Sequence, residues 1–189
     1  MKRIVIGLCG AEGAGKTAAG RVIVEQFGGV VIPFAQPLKK MLEALGVPKR
    51  NLYGSLEEKL TPLELLGGHS ARWAAQSLGT EWGRDLIHTD LWANAWKAAV
   101  EKLPGVNIIA DDLRFQNEAR AVHDLGGHVI CLLRPEADDR SGKEAHRSQE
   151  YWKLSRDATV VNDGSLEGLR ASLCNALAEL NKKSLKLVS

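Results

Sequence analysis

Short uninterrupted apolar runs and longer amphipathic stretches alternate along the chain. Runs of strand length stand at 4–9, 29–34, 106–110, 128–133 and 158–161, with helical patterns between them. These runs are near-continuous in Val, Ile and Leu and do not alternate apolar with polar. Strands of that kind suit a sheet covered on both faces, because parallel strands need crossover connections that lie over them. The pattern predicts an α/β protein built on a buried parallel sheet.

The helices are legible as stripes. Leu38, Met41, Leu42 and Leu45 share one face, and Gly46 with Pro48 ends that helix. Leu166, Leu169, Leu173, Leu177 and Leu180 form a second stripe. Residues 62–103 hold no strand-like run, and two helices, near 70–78 and 81–102, are expected to fill the region. An all-helical insert between strands is a layout suited to a substrate pocket. Residues 134–150 are polar and charged, contain Pro135, Gly142 and several arginines, and read as a mobile loop. Residues 181–189 read as a frayed tail. Without a repeat, a low-complexity tract or a linker between two compositions, residues 1–189 are expected to form a single domain.

Composition narrows the partners more than the fold. With 44% hydrophobic and 25% charged residues, 189 residues can bury a substantial core. A net charge of +2 provides no basic stripe, so nucleic acid is not an expected partner, whereas small phosphorylated ligands stay open. The opening Met1 Lys2 Arg3 and apolar run 4–9 resemble a signal peptide, but the run is short and no small-residue cleavage site follows. A first buried strand is the better reading. No stretch approaches the roughly 20 apolar residues of a membrane-spanning helix, so a cytoplasmic protein without membrane association is expected. Cys9, Cys131 and Cys174 are widely spaced, and disulfides are not expected. His123, His128 and Cys131 match no zinc-site spacing, and structural roles suit them better.

One segment carries explicit chemistry. Gly10 Ala11 Glu12 Gly13 Ala14 Gly15 Lys16 Thr17 follows an apolar strand and precedes a helical pattern, the context in which GxxxxGKT forms a phosphate-binding loop. Glycines let the backbone turn so that successive N–H groups and the helix N-terminus face an anion. Lys16 is expected to reach the β and γ phosphates of ATP, and Thr17 to place its hydroxyl on Mg²⁺. Glu12 is expected to point outward.

A second apolar strand ends in Asp111 and Asp112, where such proteins keep a carboxylate for the magnesium shell. Either aspartate suits that role, and either would also serve as an ordinary helix N-cap. Arg114 follows at the carboxyl end of the sheet, where α/β proteins bind ligands. Arg72, Arg84, Arg134, Arg140 and Arg147 lie in the helical insert and the polar loop, and planar bidentate donors suit phosphoryl oxygens. Together they suggest two phosphorylated ligands meeting head to head. Neither a Ser/His/Asp triad nor a Cys/His dyad accompanies them. A phosphate acceptor needs none, since its second pKa of about 6 leaves it nucleophilic at neutral pH.

The chain resembles the phage-type deoxynucleoside monophosphate kinases, a branch of the P-loop nucleotide kinases. The resemblance rests on Gly7 Leu8 Cys9 Gly10 with the loop; Pro33 Phe34 Ala35 Gln36 Pro37 Leu38 Lys39; Arg72; Gln76 Ser77 Leu78 Gly79 Thr80 Glu81 with Arg84; Asp112 Leu113 Arg114 Phe115 Gln116 Asn117 Glu118; His146 with Ser148; and Asn162 Asp163 Gly164 Ser165. It implies a three-layer P-loop fold with a five-stranded parallel sheet, a helical nucleotide-binding region near 36–103 and a lid near 135–150. It further implies transfer of the ATP γ-phosphoryl group to a deoxynucleotide 5′-phosphate. By position, Phe34, Lys39, Arg72, Gln76, Glu81 and Arg84 would line the acceptor pocket. Arg114, Lys16 and Asp112 would serve transfer, with Arg134 and Arg140 on the ATP side.

The segment His146 Arg147 Ser148 Gln149 Glu150 departs from the family's His-x-Ser-Glu. Rival readings are a kinase resembling dephospho-CoA kinase, a ribonucleotide kinase, or an ATP-binding regulator without transferase activity. Base preference and pairing as a homodimer stay open, and a phage gene would place the product in host cytoplasm.

Overall fold

A computed structural model describes residues 3–135 and 153–186, with side chains as far as residue 182. Arg140, Arg147 and the segment from His146 to Glu150 lie outside the described residues. The chain divides into two compact units, one of Met1–Pro33 with Trp96–Ser189 and one of Phe34–Ala95.

The first unit is built on one five-stranded, all-parallel sheet. Its strands are β1 (Val5–Gly10), β2 (Val30–Val31), β3 (Ile108–Ala110), β4 (His128–Leu133) and β5 (Ala158–Val161), in the order β2-β3-β1-β4-β5. Each apolar run forms a strand, so the expected α/β parallel architecture holds. The run at 29–34 contributes the shortest strand, an edge. The Ile32 N–H still donates to the Ile109 carbonyl at 2.8 Å, but Pro33 follows and has no N–H to continue the ladder.

β1 is central, which is why all six of its residues are buried. On one face Ile6 and Leu8, with Ile109, Ile130, Leu132 and Val160, pack against α1 (Lys16–Phe27) and α8 (Leu166–Lys186) through Val22, Ile23, Leu169, Leu173 and Leu180. Each fully buried aliphatic side chain of this kind contributes roughly 1.5–3 kcal/mol. On the other face Leu113, together with Val122 of α7 (Gln116–Asp124), lies so close over Gly7 that an added Cβ would stand 2.8 Å from the Leu113 Cδ1. Helices therefore cover both faces. The expectation of a frayed 181–189 is corrected in part, because α8 continues to Lys186. Buried Leu180 anchors this last stretch.

The second unit is helical. It contains α2 (Gln36–Ala44), α3 (Lys49–Tyr53), α4 (Leu56–Leu60), a 3₁₀ turn at Glu64–Leu66, α5 (Ala71–Ser77) and a π-helical stretch, Leu78–Ile87. Leu42, Val47, Leu52, Ala71 and Ala74 form its core. Leu38 and Leu42 of the α2 stripe are buried, whereas Met41 and Leu45 are exposed. Helix α6 (Leu91–Glu101) starts in this unit and ends in the first.

The single helix expected at 81–102 is broken at 88–90. His88 is extended (φ −166°, ψ 133°), the Asp90 N–H donates to His88 Nδ1 at 3.0 Å, and the Asp90 carbonyl accepts from Asn94 to open α6. Before the break, Arg84 Nη1 and Trp92 Nε1 each donate to the Gly79 carbonyl at 2.7 Å. Two side-chain donors on one carbonyl compete with the ordinary i→i+4 amide, and the segment takes the wider winding seen in the His88 N–H to Gly83 carbonyl bond.

Candidate active site

The loop between β1 and α1 is shaped by glycines at Gly10, Gly13 and Gly15, with φ of 143°, 80° and 95°. Two of these positions exclude any side chain on contact as well. A Cβ at Gly10 would strike the Leu132 carbonyl oxygen, and one at Gly15 would stand 2.5 Å from Asn162 Nδ2. Helix α1 begins at Lys16 with neither a side-chain cap nor an acidic residue in its first turn. Its leading amides and the positive end of its dipole are thus kept for an anion. Ala14 is fully buried, while Glu12 and Thr17 are exposed.

Lys16 folds back along the loop, its ammonium donating to the carbonyls of Gly10 at 2.9 Å and Ala11 at 2.7 Å. Burial lowers its pKa to about 8, and the nearby Arg114 guanidinium pushes the same way; Glu12, Cys9 and Asp111 pull it back. Two cations crowded together and partly desolvated make a site that gains from receiving a polyanion.

The end of β3 supplies the acids. Asp111 Cβ lies 3.5 Å from where a Cβ on Gly20 of α1 would stand, so this aspartate runs alongside α1. Thr17 is three residues before Gly20 and shares that helical face. Hydroxyl and carboxylate together offer the hard oxygen donors that magnesium prefers, so the residues present fit that ion. Asp112 is half-buried beside it. Neither aspartate caps α7. Glu118 does so, accepting the N–H groups of Arg114 at 2.7 Å and Phe115 at 3.1 Å. Glu118 is legible in sequence as the end of the DxRFxNE element, but its role is not.

A further loop contact escapes sequence reasoning. Asn162, at the end of β5, donates from Nδ2 to the Ala14 carbonyl at 3.0 Å. Its only signal in sequence is the cluster Asn162 Asp163 Gly164 Ser165. Arg134 reaches the same loop, with Nη1 3.5 Å from the Gly13 carbonyl.

The acceptor-side residues belong to the helical unit and are placed there separately. Lys39 lies on α2, with Nζ 4.8 Å from the centroid of the Tyr53 ring. Arg72 and Gln76 are four apart on α5 and share a face. Glu81 is exposed, Arg84 is buried with its guanidinium on the Gly79 carbonyl, and Phe34 is 2% exposed. Trp73 is exposed and stacks on His69 at 3.8 Å, whereas Trp82 stands 6.3 Å from Trp92.

His123 and His128 serve structure. His123 Nε2 lies 2.9 Å and His128 Nδ1 3.8 Å from one oxygen of Asp157, which also accepts the Val129 N–H. Cys131 is fully buried beside Cys9 on the neighbouring strand; the hydrogen bond between them, and then burial, push the Cys9 thiol far above its usual range. Among the described residues, no group of three or more His, Cys, Asp and Glu is placed to hold a metal, and no helix is long and apolar enough to cross a membrane.

No family model matches the chain. A protein of Acanthamoeba polyphaga mimivirus that carries the name deoxynucleotide monophosphate kinase is 32% identical over 181 residues, spanning 87% of this chain and 91% of that one. Among solved structures, a shikimate kinase from Aquifex aeolicus superposes with a TM-score of 0.51 at 14% identity, covering 96% of this chain and 99% of its own. A gluconokinase from Sinorhizobium meliloti 1021 gives 0.51 at 14% identity, covering 100% and 99%. At these identities the two structures speak for the fold.

Proposed function

Because the chain belongs to the deoxynucleotide monophosphate kinase family, we propose that it transfers the γ-phosphoryl group of magnesium-bound ATP to the 5′-phosphate of a deoxynucleoside monophosphate, giving ADP and a deoxynucleoside diphosphate. The observation that carries the reading is the uncapped start of α1 at Lys16, whose ammonium lies along the glycine-shaped loop on the Gly10 and Ala11 carbonyls and within the field of the Arg114 guanidinium.

In this reading the loop and the first turn of α1 bind the triphosphate through backbone N–H groups. Lys16 exchanges its two carbonyl partners for phosphoryl oxygens, and Arg114 holds charge that develops on the group in transfer. Thr17 and Asp111 would hold magnesium, with Asp112 beside them. When bound, the ion neutralises phosphate charge and orients the β and γ groups. The helical unit supplies Lys39, Arg72, Gln76, Glu81 and Arg84 for the acceptor. An acceptor phosphate is already ionised near neutrality, so catalysis consists of positioning and charge neutralisation without a general base.

The test is to incubate the protein with Mg-ATP and a panel of ribo- and deoxynucleoside monophosphates while following ADP release and nucleoside diphosphate formation. Equimolar ADP and deoxynucleoside diphosphate are expected. Equal turnover of the ribonucleotides would move the assignment to a ribonucleotide kinase, and ADP release independent of any acceptor would move it to a regulator.

A further inference from the structure

Asn162, just past β5, is a polar side chain that reaches the phosphate loop and is buried while doing so, at 6% exposure. Both ends of its amide are committed. Nδ2 donates to the Ala14 carbonyl at 3.0 Å, and Oδ1 accepts the Gly164 N–H at 3.1 Å. A carbonyl on one side and an N–H on the other fix which end is oxygen. Its own N–H donates to the Leu133 carbonyl at 2.8 Å, so the residue is tied to the end of β4 as well.

The loop is shaped around this contact. At Gly15 a Cβ would stand 2.5 Å from Asn162 Nδ2, while Gly10, at the loop's other end, presses on the Leu132 carbonyl of β4. The loop is thereby held at both ends against the carboxyl edge of β4 and β5. A hydrogen bond on the Ala14 carbonyl constrains the peptide plane between Ala14 and Gly15, and with it the direction of the Gly15 N–H. That amide belongs to the set that the reading above directs at the triphosphate.

We propose that Asn162 is a positioning residue for phosphoryl transfer, acting through the Ala14 carbonyl to set the direction of the loop amides before ATP arrives. The proposal rests on the reading of residues 10–17 as the ATP phosphate site. It assigns Asn162 no contact with substrate. Removing the donor costs ATP affinity, because the loop must then be ordered at the expense of binding.

Asn162→Ala tests the contact without adding charge beside the phosphate loop. The alanine removes the donor to the Ala14 carbonyl. Its KM for ATP is expected to rise about tenfold or more, the scale of one buried hydrogen bond, with the KM for the acceptor unchanged. A purely structural role would lower the melting temperature and the active fraction yet leave the KM for ATP where it was, and that result overturns the proposal. Should the variant not fold, the unaltered protein decides by NMR. One Asn162 side-chain proton is expected to exchange about a hundredfold more slowly than those of exposed asparagines, and exchange at the exposed rate overturns the clamp. A parallel titration of the unaltered protein with Mg-ATP separates the two ideas, since absence of binding there sinks the phosphate-loop reading whatever the exchange rate at Asn162.

Discussion

The carboxylate of Glu118 accepts the backbone N–H of Arg114 at 2.7 Å and is itself only 2% exposed. This bond fixes where the arginine leaves the main chain. The side chain that caps α7 therefore also aims the guanidinium whose charge Lys16 feels. In the proposed function, where Arg114 serves the transfer, structure and catalysis are coupled at that carboxylate.

Glu118→Ala is accordingly expected to lose on both counts. Two half-buried N–H groups lose their acceptor, for a stability cost of about 1–3 kcal/mol. Turnover should fall further than the folded fraction does, which denaturant titration and steady-state kinetics on the same sample will show. Turnover that tracks the folded fraction alone would separate Arg114 from its anchor.

Lys16→Ala should reduce transfer by about a hundredfold or more while leaving the fold intact, since the alanine removes the charge that the proposed function assigns to the phosphates. Circular dichroism and ADP release measured side by side check both halves of the statement.

The lowered pKa of Lys16 sets a pH dependence with a definite sign. Below about pH 8 the ammonium is charged in both the folded and the unfolded chain, and the full cost of burying it is present. Between about 8 and the ordinary value of 10.5 the folded chain has released this proton and the unfolded chain has not, so this residue makes stability rise with pH across that window. Activity runs the other way. As the free protein loses its ammonium, kcat/KM for ATP should decline above about pH 8, while kcat holds to higher pH because bound phosphates favour the charged form. Rate profiles from pH 6 to 10 test this, and a flat kcat/KM through that range would contradict it.

In the helical unit, a Cβ on Gly83 would meet the Trp92 indole at 2.5 Å from Nε1, a group already bonded to the Gly79 carbonyl. Gly83→Ala is therefore expected to push the indole aside and destabilise the protein by about 1–3 kcal/mol. Arg72→Ala, at a half-buried position of α5, should instead raise the KM for the acceptor about tenfold and leave that for ATP unchanged. Thermal melts separate the first effect from the second.

How much of this was readable in advance depended on how local the cause is. Buried parallel strands write themselves as apolar runs, and 4–9 or 128–133 needed nothing else. Residues 10–17 were legible because phosphate binding demands neighbouring residues of set types. Helices α3 and α4, five residues each, are too short to show a period. The break at 88–90 and the π-helical winding before it come from Trp92 and Arg84 returning to Gly79, contacts that no window on residues 81–102 displays. Asn162 was visible only as part of a polar cluster, because its partner lies 148 residues earlier in the chain.

Calorimetric titration of the protein with ATP, with and without magnesium, bears most directly on the phosphate loop. Saturable one-to-one binding that strengthens with magnesium and is lost in Lys16→Ala is the predicted result. Equal heats for the unaltered protein and that variant, or no magnesium-dependent binding at all, would contradict the account.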